Sequence, residues 1–128
     1  MAKRFVDTEL WFEDWYIKYP LEYKLFWYYL ISSCDHAGIW KVKKVYFERA
    51  INKTIDLDDF LEKINSDKQR IRQINDNRWL IEDFIVFQYG KYLNMKNRVH
   101  VSILKILENN NIDLTSIRGL LGVKETPT

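Results

Sequence analysis

The alternation of apolar and polar positions divides the chain into helices and one hairpin. Leu25 to Ile31 is an unbroken apolar and aromatic run, apolar all round, which predicts a helix buried on every side. Pro20 suits the first turn of that helix, where a missing N–H costs nothing, and Leu21, Leu25, Tyr28 and Tyr29 recur at helical spacing. Ser32 and Ser33 end it. The stretch Cys34-Asp35-His36-Ala37-Gly38-Ile39-Trp40 then turns the helix into a strand. Asp35 can accept bonds from backbone N–H groups two residues on, Gly38 can take a positive φ, and Ile39, Trp40 and Val42 have strand character.

Further on, Tyr46, Phe47, Ala50 and Ile51 repeat at three and four and predict a brief helix that stops near Asn52. Asp56 is placed to cap the next helix, with Asp58 and Asp59 near the positive end of its dipole and Leu57, Phe60, Leu61 and Ile64 as its buried stripe. From Arg70 to Ile81 two strand-like runs flank Asn75-Asp76-Asn77, the pattern of a hairpin. Ile71 and Ile74 have opposite parity, so a bulge or early turn is expected there. Glu82 to Tyr89 reads as a short helix ended by Gly90, with Phe84 and Phe87 inward. Asn97 caps a last regular helix whose stripe is Val99, Ile103, Ile106 and Leu107, and Ile112 to Val123 adds another turn or two of helix.

Ahead of the central helix stand Phe5, Trp11, Phe12, Trp15, Tyr16 and Tyr19. So many rings predict an arm packed onto the core, helical where Trp11 and Trp15, or Phe12 and Tyr16, fall four apart, with Asp7 or Thr8 as cap. Residues 1–123 are expected to form one domain with this aromatic arm, and 124–128 a frayed end or the start of a linker. The length of 128 residues suits a single core. The fold class expected is mainly α with a small antiparallel sheet. Helix, short strand, two helices and a hairpin follow one another in the order of a winged helix-turn-helix, here with extra N- and C-terminal helices.

Composition and charge refine this picture. At 47% hydrophobic and 16% aromatic the chain is far from disordered, and no apolar stretch approaches a membrane span or signal-peptide core. Cys34 is the only cysteine, which excludes an internal disulfide and fits a cytoplasmic setting. No phosphate-cradling glycine loop exists, and beside Cys34, Asp35 and His36 the chain has no further cysteine and only the distant His100 as a second histidine, so neither cofactor, metal nor enzymatic chemistry is expected. A net charge of +2 does not by itself announce a polyanion. Its distribution is more telling, because a basic stretch from Lys41 to Lys53 precedes the acidic Asp56, Asp58, Asp59 and Glu62, and a second basic stretch follows from Lys63 to Arg78.

Three separated stretches resemble one family: Lys3-Arg4-Phe5-Val6-Asp7-Thr8-Glu9-Leu10-Trp11, the Cys34 to Trp40 corner, and Phe84-Ile85-Val86-Phe87-Gln88-Tyr89-Gly90. They are similar to signature stretches in the N-terminal winged-helix domain of bacteriophage replisome-organiser proteins, which are related to DnaD-type primosome proteins. The resemblance spans roughly residues 3 to 107. It implies a role at a replication origin in the bacterial host cytosol or nucleoid, binding double-stranded DNA and organising helicase loading, with a helicase or its loader as protein partner. A self-associating or partner-recruiting module is the alternative, and a winged-helix transcriptional regulator a third reading.

The candidate DNA contacts are Lys43, Lys44, Lys53, Lys68, Arg70, Arg72 and Arg78. Lysine and arginine grip phosphates, and the hairpin geometry is expected to gather Arg70, Arg72 and Arg78 into one solvent-facing patch. The third helix begins with four carboxylates, which oppose a phosphate backbone and argue against base reading from that end.

Overall fold

The structure, a computed structural model, describes residues 2–124. In chain order these form α1 (Asp14–Ile17), α2 (Leu21–Ser33), β1 (Ile39–Lys41), α3 (Val45–Ile51), α4 (Leu57–Ile64), β2 (Ile71–Asn75), β3 (Arg78–Ile81), α5 (Phe84–Tyr89), β4 (Tyr92–Asn94), α6 (Arg98–Asn109) and β5 (Gly122–Lys124), with 3-10 turns at Leu10–Phe12 and Leu114–Ser116. The architecture is mixed: six helices, a three-stranded antiparallel sheet in the order β1-β3-β2, and a parallel pair of β4 with β5. No helix among the described residues is long and apolar enough to cross a membrane.

The corner after α2 forms as its residues dictate. Asp35 Oδ1 accepts from the N–H groups of Ala37 at 2.9 Å and Ile39 at 3.0 Å. Gly38 has φ +80°, and a Cβ built there would lie 2.6 Å from the Cβ of Phe84, so backbone conformation and space both require glycine. The turn delivers Ile39 and Trp40 to opposite faces of the sheet, in register with Leu80 and Trp79 of β3.

Both sheet faces are covered. On one, Trp40, Trp79, Ile71 and Ile81 pack with Phe26 and Leu30 of α2, Phe47 of α3, and Phe60 and Ile64 of α4. On the other, Ile39 and Leu80 pack with Ile85 of α5, Leu93 of β4, and Ile103 and Leu107 of α6. The central strand accordingly runs Trp79-Leu80-Ile81, buried at three successive positions, as a strand with no solvent face must. Phe26 sits at the centre of the first cluster, with the rings of Trp40, Phe47 and Phe60 within 5.6 Å of its own. Truncating such a ring costs about 3–5 kcal/mol. The expected irregularity falls between Gln73 and Asn75, while Ile71 and Ile74, three apart, pack on opposite faces as plain alternation already places them.

Other expectations give way to tertiary packing. Helix α2 buries Tyr23, Phe26 and Leu30, while Leu21 and Leu25 face solvent; an all-apolar run carries no phase information, so its buried face is chosen by what packs on it. In α5 the inward residues are Phe84, Ile85 and Gln88, and Phe87 is exposed. The stretch after α6 forms a single 3-10 turn and then β5: the helical path ends at Ile117, which is extended at φ −78° and ψ 117°, and Gly119 then takes φ +80°. Lys124 pairs with Asn94 in the parallel ladder; the rest of the expected frayed end lies outside the described residues. The arm is only partly packed: Leu10, Tyr16 and Tyr19 are buried, whereas Phe5, Trp11 and Phe12 are exposed.

Candidate nucleic-acid interface

Most of the cations expected to meet DNA are engaged within the protein. Lys44 Nζ donates to the Ile55 carbonyl at 2.9 Å and lies 3.4 Å from Glu48. Lys53 pairs with Glu22 at 3.7 Å, and Lys68 with Asp83 at 3.0 Å. Arg72 is clamped by Glu82 at 2.6 Å and reaches Ser116 of the C-terminal segment. A charge already compensated by a neighbouring carboxylate has less to offer a phosphate.

Arg70 requires a correction. It was expected beside Arg72 on a solvent face, yet it is only 8% exposed. Arg70 lies one residue before β2, so strand alternation does not hold its side chain on the Arg72 side. It turns instead toward α4, donating to the Ile64 carbonyl at 3.1 Å and to both oxygens of Asp67, and its guanidinium lies over the Trp15 ring. The bonds from Arg70 hold the Asp67 carboxyl down at about 2, well below the usual carboxylate range. Arg70 thus ties the aromatic arm to the core, and the three-arginine patch does not form.

A different cluster does. Arg78 opens β3 directly opposite Lys41, the last residue of β1. Cross-strand neighbours of like charge repel, so this pair costs stability rather than adding to it. Lys43 follows two residues later, exposed, with its ammonium 4.9 Å from the Tyr46 ring centre. Among the described residues, none of Lys41, Lys43 and Arg78 has a carboxylate at ion-pair distance. Asp35 lines the same depression as Arg78, but its Oδ1 is occupied by the corner's N–H groups. Lys41 belongs to the basic stretch visible in the sequence; only the strand register singles it out.

The face of α4 stays acidic. Asp56 caps the helix, accepting from the Asp59 N–H at 3.1 Å. Asp59 accepts hydrogen bonds from the Lys63 ammonium and the Tyr23 hydroxyl, and these bonds, Lys63 first, lower its pKa. Asp58 and Glu62 remain exposed without a cationic partner among the described residues.

Cys34 is buried, and burial pushes its thiol up to about 12, which leaves it protonated and unreactive at neutral pH. Its sulfur accepts from Arg4, which also donates to the Ile31 carbonyl at 2.7 Å. Among the described residues no group of three or more His, Cys, Asp and Glu is placed to hold a metal ion. Comparison with protein families, curated proteins and solved structures returns no match for this chain.

Proposed function

We propose that this chain is a DNA-binding module of a phage-type replication initiation or replisome-organiser protein, a winged helix-turn-helix that holds double-stranded DNA mainly by its phosphates. The order α2, β1, α3, α4 and the β2–β3 hairpin supports the fold reading, and the three stretches resembling replisome organisers support the biological one. One observation carries the binding: Lys41 and Arg78 stand opposite each other at the strand end, with no carboxylate at ion-pair distance among the described residues, and Lys43 follows two residues after Lys41. The protein keeps an unfavourable juxtaposition that a polyanion would relieve. The acidic α4 face argues for phosphate contact over base reading.

Titration of a random-sequence duplex at two salt concentrations tests this. Affinity should fall steeply with salt and vary little with sequence, and the double substitution Lys41→Gln, Arg78→Gln should weaken binding and reduce the salt slope by roughly one unit per lost contact. Salt-insensitive binding, or a parent and variant that bind alike, contradicts it.

The exposed rings favour a second reading, a self-associating or partner-recruiting module. Phe5, Trp11 and Phe12 lie on the arm and Phe87 on α5, next to a cleft of about 260 Å³ lined by Trp15, Trp27 and Phe84 among others. A concentration-dependent sedimentation coefficient that Trp11→Ser, Phe12→Ser abolishes supports it; a strictly monomeric chain speaks against the self-association half.

A further inference from the structure

We infer that α6 carries a second phosphate-contacting line, continuous with the Lys41–Arg78 cluster and on the opposite side of the sheet from α4. The inference rests on the DNA-binding reading and extends its footprint.

Helix α6 buries Ile103 and Leu107. Its other side presents Arg98, Val101, Ser102 and Lys105 at spacings of three and four, and these four line one shallow depression with Met95 and Lys96. Lys96, Arg98 and Lys105 are exposed. Among the described residues none of the three has a carboxylate at ion-pair distance, and Glu108 is the single acidic residue of the helix. The cations around α3, α4 and β2 differ, since most of them are paired.

Their position matters more than their number. Lys96 and Arg98 flank the amino end of α6, where the helix dipole favours carboxylates and disfavours cations. Asn97 already caps that end, accepting from Val99 and His100. The two cations therefore add nothing to helix stability, but together with the dipole they attract an anion. Arg98 and Lys105 are seven residues apart, about 10 Å along the axis, which matches the rise of roughly three base pairs of a duplex. Ser102 stands between them with a hydroxyl able to donate.

The line also joins the strand-end cluster. Asn109, one turn beyond Lys105, shares a depression with Ile106 and Arg78. Because α6 covers the Ile39 and Leu80 face of the sheet and α4 the Trp40 and Trp79 face, a duplex following Arg98, Lys105 and Arg78 avoids Asp58 and Glu62. The ligand this surface fits is a phosphodiester backbone recognised by charge, without base-edge readout.

The test compares the parent chain with Lys96→Gln, Arg98→Gln, Lys105→Gln on a random-sequence duplex at two salt concentrations, with a charge-preserving control Lys96→Arg, Arg98→Lys, Lys105→Arg. The glutamine variant is expected to lose about tenfold or more in affinity and roughly two to three units of salt slope, while the control binds like the parent. Should the melting temperature of the triple variant fall, Lys105→Gln alone, mid-helix and exposed, carries the comparison, with about one unit of slope lost. A parent chain that binds, weakens on Lys41→Gln, Arg78→Gln and ignores the α6 substitutions overturns this inference alone. A parent chain that does not bind DNA overturns both it and the reading beneath it.

Discussion

The guanidinium of Arg70 lies over the indole of Trp15, its central carbon 3.8 Å from the ring centre. One residue thereby joins three elements: the arm through Trp15, the end of α4 through the Ile64 carbonyl, and the loop before β2 through Asp67. Substituting Arg70 with Gln is expected to lower stability by about 2 kcal/mol, combining the lost stacking with a lost charge-assisted bond. DNA affinity at temperatures where the variant is folded should stay within twofold of the parent. Urea unfolding followed by tryptophan fluorescence checks the first point; an unchanged midpoint would mean the contact does not hold the arm.

Arg72 and Glu82 form a second pair, in which the Glu82 side chain is 6% exposed and that of Arg72 29%. Removing Arg72 strands a buried carboxylate, so Arg72→Gln is expected to cost about 2–3 kcal/mol, near the low end for a broken buried pair because Arg72 is partly solvated. The double variant Arg72→Gln, Glu82→Gln should recover at least about 1 kcal/mol of that loss. Strict additivity of the two single substitutions would show that the residues act independently.

Gly38→Ala meets two obstacles at once. The backbone is held at φ +80°, and the new methyl would press on Phe84. A loss of about 3 kcal/mol is expected, part from the left-handed conformation and part from overpacking. Gly90 has open space around its Cβ direction, but φ +93° with ψ −177° is backbone essentially reserved for glycine, so Gly90→Ala should cost about 1–3 kcal/mol through conformation alone. An unchanged melting temperature for Gly38→Ala would remove both obstacles from the explanation.

His100 supplies a pH dependence. Its Nδ1 accepts from the Asn94 N–H at 2.8 Å, which needs a neutral ring, and burial lowers its pKa below the ordinary 6.5. With the folded value below the unfolded one, the unfolded chain binds the proton more readily in between. Stability is therefore fully present above about pH 6.5 and declines as pH falls through the folded value. The Tyr89 ring packs edge-on against the imidazole and contributes no charge. Melting temperatures at pH 7.5 and 5.5 should differ for the parent, and by less for His100→Gln.

Local signals were legible where one side chain decides the geometry. Asp35, Gly38, Asp56 and Asn97 each act as their chemistry predicts; an irregularity in β2 was expected too, but from a parity of Ile71 and Ile74 that alternation alone satisfies. The buried face of α2 was not legible, because a run of rings from Leu25 to Ile31 points nowhere in particular until Phe47, Phe60 and the sheet select Phe26 and Leu30. Nor was β5, whose three residues gain strand geometry only from a partner thirty positions earlier. The arginines misled for a related reason. Spacing places Arg70 and Arg72 on one side of a strand, but the strand begins between them, and carboxylates that the sequence scatters, Asp67 and Glu82, converge on them in space. Lys41 and Arg78 show the converse: far apart in sequence, they become neighbours through register alone.

The sheet without a solvent face has a consequence for how the molecule comes apart. Strand β3 is paired along both edges and roofed on both sides, so the amide protons of Trp79, Leu80 and Ile81 exchange with solvent only when the whole structure opens. A chain trimmed after Gly90 would lose Leu93, Ile103 and Leu107 together and lay Ile39 and Leu80 bare to water. Helix α6 is no appendage but the second half of the wall.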